Sequence, residues 1–220
     1  MAGSISDGLV MIKTIDDTKI YLTKYDITDK FIESVIPRII ETCNHKNLFA
    51  NIPNAASVSF WNVDDSGKKV YDWLEMKDFL TFIKPHIRTY IKELNISEDD
   101  MMITAMWCNR YKPNTFVIKH NHTYNDYKRG SHNFKTSNDV LGVLLYINKP
   151  DNSGNLFIET SDGIEHEFDL KGGDVIIFPS MLQHRTSPNK SKDDKFVIGI
   201  EIMMKWVTDE NLVGKTLGEL

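Results

Sequence analysis

Three histidines carry the residue types and the spacing from which chemistry could be built. His120 and His122 stand one residue apart, and on an extended strand two such side chains point to the same face. His184 lies far along the chain, after Gly172-Gly173-Asp174-Val175-Ile176-Ile177-Phe178-Pro179. A third imidazole from a distant strand could close a facial set of three. Such a set leaves other positions on a metal ion open to substrate and oxygen, which is what non-haem Fe(II) chemistry requires. His-x-His alone is weak evidence in a chain with seven histidines, because a surface strand can carry such a pair idly.

The surrounding elements strengthen the reading. Gly172-Gly173 predicts a tight turn, residues 174–178 an apolar strand, and Pro179 its stop, so the following turn places His184 at a rim. Residues 141–148 read as an apolar strand ending in the polar Tyr146 and Asn148. Lys195 opens the apolar run of residues 196–202. A lysine there ordinarily snorkels to solvent, but beside a metal pocket it could fix a carboxylate.

Composition sets the frame. The chain has 220 residues, 41% of them hydrophobic, enough for a sizeable core in one globular unit. Its net charge of -5 argues against nonspecific nucleic-acid binding, which needs a basic excess. Cys43 and Cys108 form no CxxC pair, which speaks against a zinc finger and for reduced thiols. No apolar run reaches the length of a membrane span, and residues 1–10 lack the basic and apolar regions of a signal peptide. The expectation is a soluble, cytoplasmic protein.

Along the chain, residues 8–25 predict a strand, a polar turn at Asp16-Asp17 and a second strand. Residues 26–46 change to helical period, with Thr28 or Asp29 as cap and a kink or break at Pro37. A short strand is expected at 58–63. Residues 71–94 carry the clearest helical stripe, through Met76, Phe79, Leu80, Ile83, Ile87, Tyr90 and Ile91, with another kink at Pro85. From residue 101 the pattern is β: strands are expected at 101–111, 115–122, 139–148, 155–159, 165–170, 174–178 and 196–204, separated by turn signals. Many short strands indicate an antiparallel sandwich or barrel, and helices before strands indicate an α+β arrangement. The expected organisation is residues 1–99 packing on a core at 100–207, with a C-terminal tail at 208–220. The polar stretch that begins at Thr123, directly after His122, and ends at Asn138 has the length and placement of a substrate-binding lid.

The succession Trp107-Cys108-Asn109-Arg110-Tyr111, His120-Asn121-His122, Leu144-Leu145-Tyr146-Ile147-Asn148, Ser153-Gly154-Asn155-Leu156-Phe157, Gly173 to Pro179, His184 and Lys195 resembles the 2-oxoglutarate/Fe(II)-dependent oxygenases. Within them it is most similar to the prolyl-4-hydroxylase-like group, including short members from phages and large viruses. The resemblance covers roughly half the chain. It implies a double-stranded β-helix (jelly-roll, cupin-like) core braced by N-terminal helices. It also implies iron held at His120, His122 and His184, with 2-oxoglutarate as cosubstrate and ascorbate as an optional reductant.

The family's middle ligand is a carboxylate, whereas this chain has His122; Asp126, four residues on, is the alternative if the loop folds back. Lys195 stands where the family pairs a basic residue with the far carboxylate of 2-oxoglutarate, and Tyr111 and Tyr146 sit on strands that line that pocket. The implied activity is hydroxylation of a peptidyl side chain, such as proline, or of a small molecule, with release of succinate and CO2. Two other readings stay open: a metal-dependent cupin-type enzyme that does not use 2-oxoglutarate, and an inactive jelly-roll binding module. The cupin pattern resembles His120-x-His122 and Gly173 to His184, but it gives Lys195 no task.

Overall fold

The computed structural model describes residues 10–45, 53–59, 67–95, 101–122, 140–204 and 215–216. The chain opens with a hairpin of β1 (Met11–Ile15) and β2 (Thr18–Lys24). Asp16 and Asp17 turn it with φ of 45° and 60°, the left-handed pair that a tight hairpin needs and that Asp tolerates. Helix α1 (Asp29–His45) follows, then a two-residue strand β3 (Ser57–Val58) and helix α2 (Met76–Glu93). The remaining strands are β4 (Met101–Tyr111), β5 (Val140–Asn148), β6 (Leu156–Glu159), β7 (Glu165–Phe168), β8 (Asp174–Pro179), β9 (His184–Thr186), β10 (Lys195–Met204) and β11 (Lys215–Thr216).

All the ladders are antiparallel. The large sheet runs β1-β2-β8-β5-β10-β4-β11, with β3 also pairing β4, and the small sheet runs β7-β6-β9. The N-terminal hairpin therefore extends the main sheet through β2 and β8.

Alternation along β10 divides the large sheet into two faces. Phe196, Ile198, Ile200 and Ile202 join Phe79, Ile83, Ile87 and Ile91 of α2 and Val35 and Ile39 of α1 in one apolar cluster. Burying each such side chain stabilises the fold by about 1.5–3 kcal/mol, which is why the helices lie on this face. On the opposite face Lys195 lies against Tyr111, Val197 joins Ile176 and Phe178, Gly199 meets Trp107, and Glu201 faces His122. That inner face, covered by the small sheet, is where the site forms.

Several expectations change in detail. Both helices run unbroken through Pro37 and Pro85, because packing of a whole apolar stripe outweighs one missing hydrogen bond. The second helix starts at Met76, after a 3-10 turn at Val70–Asp72. Residues 115–122 do not form a continuous strand. They make isolated bridges, Ala55 with Phe116 and His120 with His184, and single backbone hydrogen bonds such as Thr186 N–H to the Val117 carbonyl. His184 does not sit on a rim turn but begins β9, and is buried. Within the expected tail, Lys215–Thr216 pairs with β4. The expected lid cannot be placed in this architecture, since every residue from Thr123 through Asn138 lies outside the described residues. Among the described residues no helix is long and apolar enough to cross a membrane.

Candidate metal centre

The backbone brings the histidines together without a ladder. His120 N–H donates to the His184 carbonyl at 3.0 Å, and His184 N–H returns to the His120 carbonyl at 2.8 Å. His122 N–H donates to the Ser180 carbonyl at 2.9 Å, so the segment closes over the end of β8. In each of two rings one nitrogen is committed. His120 Nδ1 faces the Ile118 carbonyl at 2.9 Å and His184 Nδ1 faces the Leu182 carbonyl at 2.8 Å. A carbonyl accepts only from a protonated nitrogen, so both rings are held with Nδ1–H, leaving a bare Nε2 for a metal. His122 Nε2 lies 3.2 Å from His120 Nε2, and one ligand atom of each ring falls within 4.8 Å of the others. Burial holds His184 well below the ordinary imidazole range, with His120 and His122 adding to the effect, and burial lowers His120 as well. A neutral imidazole is the metal-binding form.

The walls follow from the strands. Trp107 on β4 lies across Gly199 of β10, its register partner, where any Cβ would overlap the indole. The same indole packs against the His122 ring, with centroids 5.5 Å apart. Phe178 meets His184 edge-on at 5.1 Å. A cavity of about 190 Å³ opens from the three histidines, lined by Val58, Trp107, Asn109, Tyr111, Val117, Leu144, Leu156 and Thr186.

Against Tyr111, and itself outside the residues that line the cavity, sits Lys195, 0% exposed. Its Nζ lies 4.1 Å from the centre of the Tyr111 ring and donates to the Gly154 carbonyl at 3.1 Å. Gly154 has φ of +83°, and a side chain there would collide with the Ser187 carbonyl, so glycine is required to bring that acceptor in. No carboxylate pairs with Lys195 among the described ion pairs, whereas its neighbour Lys149 is paired with Asp169 at 2.9 Å. Burial, helped by Lys149, pulls the Lys195 ammonium down to about 7. Asn189, fully buried, donates to the carbonyls of Tyr111 and Asp193 at 2.9 Å each, and so fixes the turn from which Lys195 enters β10.

Of the residues expected from sequence, His120, His122, His184 and Tyr111 meet in one cavity. Lys195 stands against the Tyr111 ring, and burial pushes the Tyr111 hydroxyl well above its ordinary range. Tyr146 departs from its expected place: it is buried in the same apolar cluster as Tyr111 but does not line the cavity. Arg185 points away from the histidines, pairing with Glu165 at 2.6 Å and covering Phe157. The expected substrate-binding loop from Thr123 to Asn138, with Asp126 and His132 inside it, lies outside the described residues. Cys43 and Cys108 are buried free thiols. Sequence reasoning gave no role to Trp107, Asn109, Thr186 or Glu201. Glu201 had a signal: it is a lone carboxylate in an apolar strand, in phase with Lys195.

No protein-family model and no curated protein matches the sequence. Solved structures match it in three dimensions. A prolyl-4-hydroxylase from Pseudomonas putida is similar with a TM-score of 0.58 and 14% identity, over 84% of this chain and 92% of that one. HygX from Streptomyces hygroscopicus, with nickel, 2-oxoglutarate and hygromycin B bound, is similar with a TM-score of 0.56 and 11% identity, over 91% and 92%. A prolyl hydroxylase from Trichoplax adhaerens, in complex with a hypoxia inducible factor peptide fragment, gives 0.56 and 13%, over 87% of each chain. With two antiparallel sheets enclosing the histidines and helices bracing the outer face, this chain has the jelly-roll fold of the 2-oxoglutarate/Fe(II)-dependent oxygenases.

Proposed function

We propose that the chain is an Fe(II)- and 2-oxoglutarate-dependent oxygenase. In this reading it hydroxylates a C–H bond of a peptidyl side chain, such as that of proline, or of a small molecule, releasing succinate and CO2. One observation carries the reading: three imidazoles converge at one end of an apolar cavity, and a buried lysine without a carboxylate partner among the described residues stands near its Tyr111 wall. Three nitrogen ligands alone would suit zinc or nickel as well as iron. A buried lysine whose ammonium is pulled down to about 7 gains from an anion beside it, and 2-oxoglutarate supplies carboxylates at both of its ends.

His120, His122 and His184 would hold the metal, and Lys195 would take the far carboxylate of the cosubstrate, with Tyr111 as the adjoining wall. The metal with its cosubstrate supplies the oxygen-activating chemistry when bound. The chain's own part is geometric and electrostatic. The carbonyls of Ile118 and Leu182 set the imidazole tautomers. Trp107, Val58, Val117 and Leu144 keep the cavity apolar and limit water.

The test is conversion of labelled 2-oxoglutarate to succinate by the purified chain. Turnover should need added Fe(II), stop with a chelator and vanish in His184→Ala. A protein that binds metal yet never consumes 2-oxoglutarate refutes the proposal and returns the site to a cupin-type metalloenzyme.

A further inference from the structure

His122 differs from the other two histidines in what its second nitrogen meets. Its Nδ1 is buried and makes no hydrogen bond among the described residues, whereas His120 and His184 each face a carbonyl. The group opposite it is a carboxylate: Glu201 Oε2 lies 3.5 Å from His122 Nδ1. Glu201 is 1% exposed. A buried carboxylate costs several kcal/mol unless something compensates it, so a purely structural position in this strand would favour valine or isoleucine.

The strands aim Glu201 at the site. Alternation along β10 puts it on the inner face with Lys195, Val197 and Gly199. Its partner across β5 is Gly142, where Phe178 and Ser180 fill the place a side chain would take. On the β4 side the register steps between Glu201, opposite Ala105, and Ile202, opposite Ile103. Such a bulge bends the ladder and re-aims neighbouring side chains, and bulges are common beside functional sites. Trp107, laid over Gly199, holds the His122 ring from another side.

Building on the metal-centre reading above, we propose that Glu201 is a positioning residue for His122: its carboxylate accepts the Nδ1–H of the metal-bound imidazole and returns to the site the negative charge that His-x-His removes from the ligand set. The contact closes from 3.5 Å to an ordinary hydrogen bond of about 2.8 Å by a small side-chain adjustment. It fixes the tautomer that presents Nε2 to the metal, and it makes that nitrogen a stronger donor. The carboxylate is kept, one imidazole further from the ion, and no longer occupies a coordination position itself.

The test reads metal binding, not turnover. The purified chain is titrated with Co(II), followed by the cobalt absorption spectrum, alongside Glu201→Gln, His122→Ala and the double variant. Glu201→Gln should weaken Co(II) binding roughly 10- to 100-fold and shift the spectrum. The double variant should bind no more weakly than His122→Ala alone, since Glu201 acts through that ring. Unchanged affinity in Glu201→Gln, or full additivity of the two changes, overturns the proposal while the metal centre stands. A wild-type chain that binds no Co(II) removes the metal centre itself, and the proposal with it.

A measurement on the wild type does not depend on any variant folding. In the Zn(II)-loaded protein with ¹⁵N-labelled histidine, His122 should show a protonated Nδ1 with its proton further downfield than those of His120 and His184. A His122 bound through Nδ1, or lacking that proton, contradicts the proposal.

Discussion

Replacing Lys195 with methionine should make the metal-free protein more stable at low pH while removing its hold on a dicarboxylate. Lys195 is fully buried, with the Gly154 carbonyl as its hydrogen-bond acceptor, and its ammonium is pulled from 10.5 to about 7. At 1.36 kcal/mol per pH unit, keeping that charge buried costs on the order of 5 kcal/mol. The folded state holds the proton less tightly than the unfolded chain. Above pH 10.5 both are neutral and the cost is absent. Between 10.5 and about 7 the unfolded chain binds the proton and the folded one does not, so wild-type stability falls as pH falls. Below about 7 the whole cost is present. Methionine removes it but leaves the Gly154 carbonyl without its donor, a loss of about 1 kcal/mol or more. The net expectation is a gain of a few kcal/mol in urea unfolding near pH 6 that fades towards pH 10. In calorimetry the same variant should bind 2-oxoglutarate at least roughly 30-fold more weakly, from about 2 kcal/mol or more for losing one partner of a buried charge pair. A variant less stable than wild type near pH 6 would mean that Lys195 is already paired with an anion. Unchanged affinity for 2-oxoglutarate would refute the cosubstrate assignment.

Other substitutions probe the frame around the site. Gly199→Ala forces a methyl group into the Trp107 ring and should cost on the order of 1–3 kcal/mol in thermal unfolding; a neutral result would show that Trp107 is not pinned there. Arg185→Ala, which removes a half-exposed ion pair with Glu165 on the outer side of β9, should change stability by no more than about 1 kcal/mol and leave metal affinity within twofold. A large loss of metal would mean that Arg185 shapes the site after all. His122→Ala should lose tight metal binding and Asp126→Ala should keep it, by metal analysis after gel filtration; the reverse pattern would transfer the middle ligand to Asp126.

The parts of the fold with dense local pattern were legible in sequence. The stripe from Met76 to Ile91 is one buried helix face, and the β4, β5, β8 and β10 runs lie within a residue or two of their expected ends. What escaped depends on distant chain segments. Residues 115–122 look like a strand because Phe116-Val117-Ile118 is a strand-prone apolar run, yet His120 gains only one bridge, to His184, and Phe116 one to Ala55. The three-residue β9 is too short for any period to register, so the burial of His184 was invisible, although its role as partner to His120 was not. Lys195 was read from its position at the mouth of an apolar strand, and it is buried there. Glu201 was passed over because nothing in the sequence around it marks what one carboxylate in an apolar strand faces. His122, the group it faces, is far away in sequence and is brought there by the segment that closes over the end of β8 through the Ser180 carbonyl.

The central claim is that three imidazoles and a buried lysine frame a site for iron and 2-oxoglutarate together. It is tested most directly without knowing the substrate, by adding 2-oxoglutarate to the Fe(II)-loaded chain in the absence of oxygen and recording the visible spectrum. Chelation of the iron by the keto acid should produce a new charge-transfer band in wild type that is absent in His184→Ala and needs far more 2-oxoglutarate in Lys195→Met. An Fe(II)-loaded wild-type protein whose spectrum does not change at saturating 2-oxoglutarate would contradict the account.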